Sequence, residues 1–191
     1  MNTEMLNALK EKAHKAAVEH GFHDEEKPDA YWLGLVMSEA GEAINADRKG
    51  MHANVVRFEE VMAMRCISPR VAFEENIKDS VEDEIADIVI RLLDFAGLRG
   101  FELEFEEDYS YSDIVSSVLE REGLVSALFQ LNGALGIYYD RYNLETGINS
   151  LIFIYSECFG KMTGSDKDLW WFVEQKMRYN DLRPRLNGKK Y

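Results

Sequence analysis

The stretch VEDEIADIVIRLLDFAGL, residues 81–98, limits the fold more than any other. Apolar side chains cover most of its helical circumference: Val81, Ile85, Ile88, Val89, Ile90, Leu92, Leu93 and Phe95. A helix that is apolar on nearly every side must be enclosed by other elements. Its exceptions, Glu84, Asp87, Arg91 and Asp94, follow i, i+3, i+7, i+10 and form one narrow stripe. Carboxylates on a buried helix need compensation, because an unpaired one in a low-dielectric interior costs several kcal/mol or takes up a proton.

The rest of the chain supplies the enclosure. Apolar residues recur at helical spacing in most segments, only three prolines interrupt them, and no strand-like alternation persists. The spacing predicts an all-α bundle with helices at about 4–19, 31–48, 76–98, 122–139, 147–162 and 167–180. Shorter helical pieces are expected near 55–65 and 112–120. The 191 residues fit a single domain, with an irregular insertion at about 50–80, the acidic connector FELEFEEDYS, and extra helices within about 105–162.

No apolar run approaches the roughly 18 residues of a membrane span, and the polar opening lacks a signal-peptide core. Cys66 and Cys158 have no zinc or disulfide spacing. A cytoplasmic protein that does not engage membranes is expected. Net charge is −13, which repels a nucleic-acid backbone and argues against binding such a polymer. From Lys176 onward six basic residues face one acid, Asp181. That end carries a net +5, leaving −18 for the first 175 residues. Such a division suits a divalent cation in the acidic body and phosphate at the basic end.

A second helix repeats the burial problem. Between Tyr31 and Arg48 the apolar face is built by Trp32, Leu35, Val36, Ala40 and Ala43; Glu39 falls on that face and Glu42 at its margin. Taken singly, each acid pair reads equally well as a structural ion-pair network with Arg91 and nearby lysines. Together, Glu39/Glu42 and Glu84/Asp87 on adjacent helices are expected to surround one point with four carboxylates. That donor set suits Mg2+, with Mn2+ as a possible substitute.

SEAGEA followed by EDEIAD resembles the paired ExxE and ExxD motifs of the MazG-like all-α nucleoside triphosphate pyrophosphohydrolases, the superfamily that includes dimeric dUTPases and dCTP pyrophosphatases. The resemblance extends through LVMSEAGEAINADRKG, EDEIADIVIRLLDFAG and the terminal KMRYNDLRPRLNGKKY. It implies hydrolysis of a nucleoside triphosphate between the α- and β-phosphates, with Glu39, Glu42, Glu84 and Asp87 holding magnesium. Glu39 or Glu42 would take a proton from the attacking water. A homo-oligomer, with a dimer favoured, is expected, the helices from about 122 to 162 suiting the interface. This chain departs from compact members in the longer excursion between Glu42 and Glu84 and in the helices after Phe105.

The last helix places Lys176 and Asn180 at i and i+4 on the face of Leu169, Phe172 and Val173. A lysine there wants an anion: the resemblance gives it the triphosphate, while its chemistry alone allows a pairing with a core acid. Asn180 would meet a metal, phosphate or sugar. Arg183 and the tail Gly188 to Lys190 would close over the substrate. His23, in GFHDE, stands where relatives carry an aromatic residue beside the base, yet by itself reads as a polar surface histidine. Arg48 is open to phosphate or to its own helix C-terminus. Asp94 is open to an outer-ligand or a salt-bridge role. Trp170, Trp171, Tyr138, Tyr139 and Tyr142 read as core or subunit contacts.

Two rivals come from other classes. A di-iron carboxylate bundle requires two ExxH motifs, and only Glu11 to His14 supplies one. A non-catalytic acidic helical binding protein, or an inactive relative, would spread its acids over the surface.

Overall fold

The computed structural model describes residues 1–64, 66–104 and 109–188, and among these the chain is helical with no strand. The helices are α1 (Thr3–Glu19), α2 (Asp29–Arg48), α3 (Val55–Ala63), α4 (Pro69–Asn76), α5 (Val81–Arg99), α6 (Tyr109–Glu122), α7 (Leu124–Arg141), α8 (Leu144–Thr163) and α9 (Leu169–Asn180), followed by a 3-10 turn at Arg185–Gly188. None is long and apolar enough to cross a membrane.

α5 is the axis of the bundle. It packs against α1, α2, α8 and α9, while α6, α7 and α8 form a second group that joins the first through α5 and α2. Val81, Ile85, Ile88, Val89, Leu92 and Leu93 are all fully buried, as its near-continuous apolar surface demands. α2 runs antiparallel to it. The Arg99 Nε at the end of α5 donates to Asp29 at the start of α2 at 2.6 Å, and Arg91 near the middle of α5 meets Glu39 near the middle of α2. α1 is also antiparallel to α5, with Lys10 Nζ donating to the Phe101 carbonyl at 2.7 Å and His14 lying against Asp94. Gly97 permits that approach: a Cβ built there would stand 2.5 Å from the Cβ of His14.

The start of α5 differs from the expected helix at about 76–98. Asp79 adopts a left-handed backbone, φ 62°, and Ser80 caps the helix by accepting from the Asp83 N–H at 3.2 Å. The turn consumes residues 77–80 and places Glu82, Asp83 and Glu84 in the first turn of α5, where the exposed N–H groups and helix dipole favour negative charge. The insertion at 50–80 is more regular than expected. It holds α3, close to the short piece foreseen at 55–65, and also α4, which Ser68 caps ahead of Pro69 at the first helical position. The piece foreseen at 112–120 is the longer α6. Within the acidic connector, residues 105–108 lie outside the described residues.

Candidate functional site

The charged stripe of α5 faces four different parts of the molecule. Near its N-terminus, Glu84 meets the Glu39/Glu42 pair of α2: one oxygen from each of the three glutamates lies within 4.8 Å of the others. Glu39 and Glu84 are buried, 2% and 4% exposed, whereas Glu42 reaches solvent. The Glu84 side chain makes no hydrogen bond or ion pair among the described residues. Burial, then the negative charges of Asp83 and Asp87, push its carboxyl up to about 9. Burial also raises Glu39, against the pull of Arg91. Arg91 donates its Nε to Glu39 Oε1 at 2.6 Å, and its Nη2 contacts the same oxygen.

Asp87 does not complete a four-acid ring. Its carboxylate turns to α9, where Lys176 Nζ lies 2.8 Å from Asp87 Oδ2 and 2.8 Å from each oxygen of Asp83. Helix geometry accounts for the split. At about 100° per residue Asp87 lies about 40° from Asp83 but about 60° from Glu84, so the pair separated by four residues shares a neighbour. Asp83 was not singled out from the sequence, although its i, i+4 relation to Asp87 and a lysine on an apolar face of α9 were the available signals. Burial alone would push the Lys176 ammonium down; Asp83 and Asp87 more than reverse that and hold it above the ordinary lysine range. Lys176 therefore enters the site as the counter-charge of two acids, and its three short contacts are spent on them.

The acids stand between two clefts. One is lined by Glu42, Asn45, Lys49, Asp79 and Glu84. The other is lined by Asp87, Arg91 and Asp94 together with Trp32, Phe22, His20, Asn180 and Arg183. The His20 Nδ1 in that wall is buried with no hydrogen-bond partner among the described residues. Asn180 and Arg183 line the same cleft as Asp87, and the Arg183 guanidinium also lies over the Tyr179 ring. Lys189 and Lys190 of the tail lie outside the described residues. Arg48 is exposed in the last turn of α2 and lines neither cleft, which leaves its charge beside the helix C-terminus.

His23 is not a surface histidine. Its side chain is 9% exposed, its ring lies 4.5 Å from that of Trp32, and its Nε2 sits 2.8 and 3.1 Å from the two oxygens of Asp94. Its surroundings explain the difference: the loop after α1 folds back onto α5, where Asp94 offers a half-buried partner. Asp94 also takes His14 Nδ1 at 2.9 Å, so its place on the stripe is a two-histidine contact. The Glu11 and His14 of the single ExxH diverge, since Glu11 is 70% exposed. The pattern of a di-iron bundle is not assembled.

The three glutamates fit a hard dication. They supply oxygen donors only, from two helices, and the Glu84 carboxyl, crowded by the charges of Asp83, Asp87 and Glu39, opens onto a cleft where a cation would offset them. Compared with known proteins, the chain matches no family model, no curated protein and no solved structure.

Proposed function

We propose that the chain is a magnesium-dependent nucleoside triphosphate pyrophosphohydrolase of the MazG-like type, releasing a nucleoside monophosphate and pyrophosphate. The observation that carries this reading is the convergence of the Glu84 carboxylate with Glu39 and Glu42 at the edge of a cleft. Glu39, Glu42 and Glu84 would hold Mg2+, with Mn2+ able to replace it. Bound there, the ion supplies charge neutralisation for the triphosphate and acidification of a water. Glu42, the solvent-facing member, is the group assigned to orient the attacking water and take its proton; Glu39 is constrained by Arg91. Arg91, Asn180 and Arg183 present donors along the neighbouring cleft, where they suit phosphate or sugar oxygens. Lys176 acts here by holding Asp83 and Asp87 in place, and His23 by fixing Asp94 beside Trp32 at the far end of the same cleft.

The acidic body argues against a nucleic-acid partner. A second copy of the chain is the partner proposed. Along α7, Val125, Phe129, Gly133 and Ile137 recur every four residues, and Phe129 is 76% exposed.

Pyrophosphate release from a panel of nucleoside triphosphates with Mg2+ tests the activity. In oxygen-18 water the label should enter the monophosphate and leave pyrophosphate unlabelled. Glu39→Gln, Glu42→Gln and Glu84→Gln should each remove most turnover while preserving the helical spectrum. Stepwise orthophosphate release, or full activity in all three variants, overturns the reading.

One observation favours a second reading, that of a non-catalytic acidic helical protein: Arg91 and Lys176 already pair with Glu39, Asp83 and Asp87. That reading predicts no thermal shift with Mg2+, whereas the hydrolase predicts stabilisation by the bound ion.

A further inference from the structure

The contact between His14, His23 and Asp94 uses none of the glutamates assigned to Mg2+, although Asp94 lines the neighbouring cleft. We propose that these three side chains form a binding site for a first-row transition-metal dication of the Zn2+ or Co2+ kind, separate from the three-glutamate site and independent of the hydrolase reading.

The three groups come from three pieces of chain. His14 is on α1, His23 is in the loop that follows it, and Asp94 is on α5, seven residues beyond Asp87. One atom from each lies within 4.8 Å of the other two. The two closest approaches are 2.9 Å, His14 Nδ1 to Asp94 Oδ1, and 2.8 Å, His23 Nε2 to the same oxygen. Ligand atoms around a tetrahedral ion bound at roughly 2.0–2.1 Å stand roughly 3.3 Å from one another. Small rotations of the imidazoles therefore open the existing contact to an ion without moving a helix.

The donor chemistry selects the metal. Two imidazole nitrogens and one carboxylate oxygen favour Zn2+, Co2+, Ni2+ or Cu2+, whereas Mg2+ prefers oxygen donors such as the glutamate cluster. Three protein ligands leave a fourth tetrahedral position for water or an outside group. Asp94 lines the cleft shared with Trp32 and His20, so an exit from the site leads there.

The surroundings hold the ligands in register. The absence of a side chain at Gly97, one turn after Asp94, lets His14 rest directly on α5. The Trp32 ring packs on His23, and the two imidazoles lie 4.9 Å apart, centroid to centroid. The side chains of His14, His23 and Asp94 are 25%, 9% and 16% exposed, so water reaches the site without filling it.

The test uses the full chain with Cys66→Ser as the background, because Cys66 is an exposed thiol that binds soft metals. Excess Mg2+ occupies oxygen-only sites while Co2+ is titrated and its visible ligand-field absorption recorded; Zn2+ is then added as competitor. One saturable equivalent of Co2+, displaced by Zn2+, is expected. His14→Gln and His23→Gln retain a hydrogen-bond donor toward Asp94 but lose the imidazole ligand, and each should weaken binding at least tenfold. Glu84→Gln should leave it unchanged. X-ray absorption of the Zn2+-loaded protein should find two imidazoles on the metal, a measurement that needs no ligand variant to fold. Absence of saturable binding, unchanged affinity in both glutamine variants, loss of binding in Glu84→Gln, or a metal with fewer than two imidazoles overturns the proposal. Failure of the pyrophosphate assay leaves these outcomes untouched, and they in turn say nothing about Glu39, Glu42 and Glu84.

Discussion

Replacing Lys176 by methionine separates the two roles open to that residue. Methionine keeps an unbranched apolar stem of similar length, so the packing of α9 against α5 is largely retained while the ammonium is lost. Lys176 is 4% exposed and touches both oxygens of Asp83 and one of Asp87. Removing one partner of a buried charge network costs about 3–5 kcal/mol, because the acids left behind are neither solvated nor paired. For a chain of this length each kcal/mol moves the melting temperature by about 2–4 °C, so a fall of roughly 6–20 °C is expected. The loss should depend on pH with a definite sign. Burial already holds the Asp83 carboxyl up at about 6 with Lys176 in place, and losing the lysine raises it further, so protons compensate in acid and the deficit grows as pH rises from about 6 to 8. Urea unfolding followed by tryptophan fluorescence reads this directly, since Trp170 and Trp171 lie on the same helix as the substitution. Adding Asp83→Asn to the variant should recover part of the loss. A deficit under about 1 kcal/mol, equal at both pH values, would refute the assignment and return Lys176 to phosphate binding.

The metal-free protein should lose stability as pH rises from the ordinary carboxylate range to about 9, because folded Glu84 keeps its proton where the unfolded chain has lost it; thermal melts in EDTA check this, and Glu84→Gln should flatten the slope. Arg91→Gln should tighten Mn2+ or Mg2+ binding on the order of tenfold, since the guanidinium occupies Glu39 and adds like charge; calorimetric titration reads the change, and weaker binding would contradict it. Phe129→Arg should convert a dimer to monomer in sedimentation velocity while leaving the helical spectrum unchanged, and an unaltered dimer would exclude the α7 face.

The Glu39/Glu42 pair and Glu84 were legible because burial of a helix face is written in its period. Once α5 is apolar on nearly all sides, a glutamate within its stripe has to lie inside the bundle, whatever surrounds it. The same period could not say which acid meets which cation. Asp87 and Glu84 share a stripe, yet the position of α9 divides them, bringing Lys176 between Asp83 and Asp87 and leaving Glu84 with the glutamates of α2.

Local capping signals also override periodicity. Ile77 continues the apolar pattern of α5, but the left-handed Asp79 and the Ser80 cap break the helix before Val81. Ser68 and Pro69 marked the start of α4 inside a segment read as irregular. His23 shows the limit most plainly. Its neighbours in the chain, Asp24, Glu25 and Glu26, describe a polar loop, while its environment is set by Trp32, His14 and Asp94, residues up to 71 positions away. Sequence by itself determined which helix faces were buried and that charges lay on them, because those follow from periodicity and the cost of desolvation. Only tertiary packing decided how the charges were paired, because pairing depends on the rotation and spacing of helices about α5.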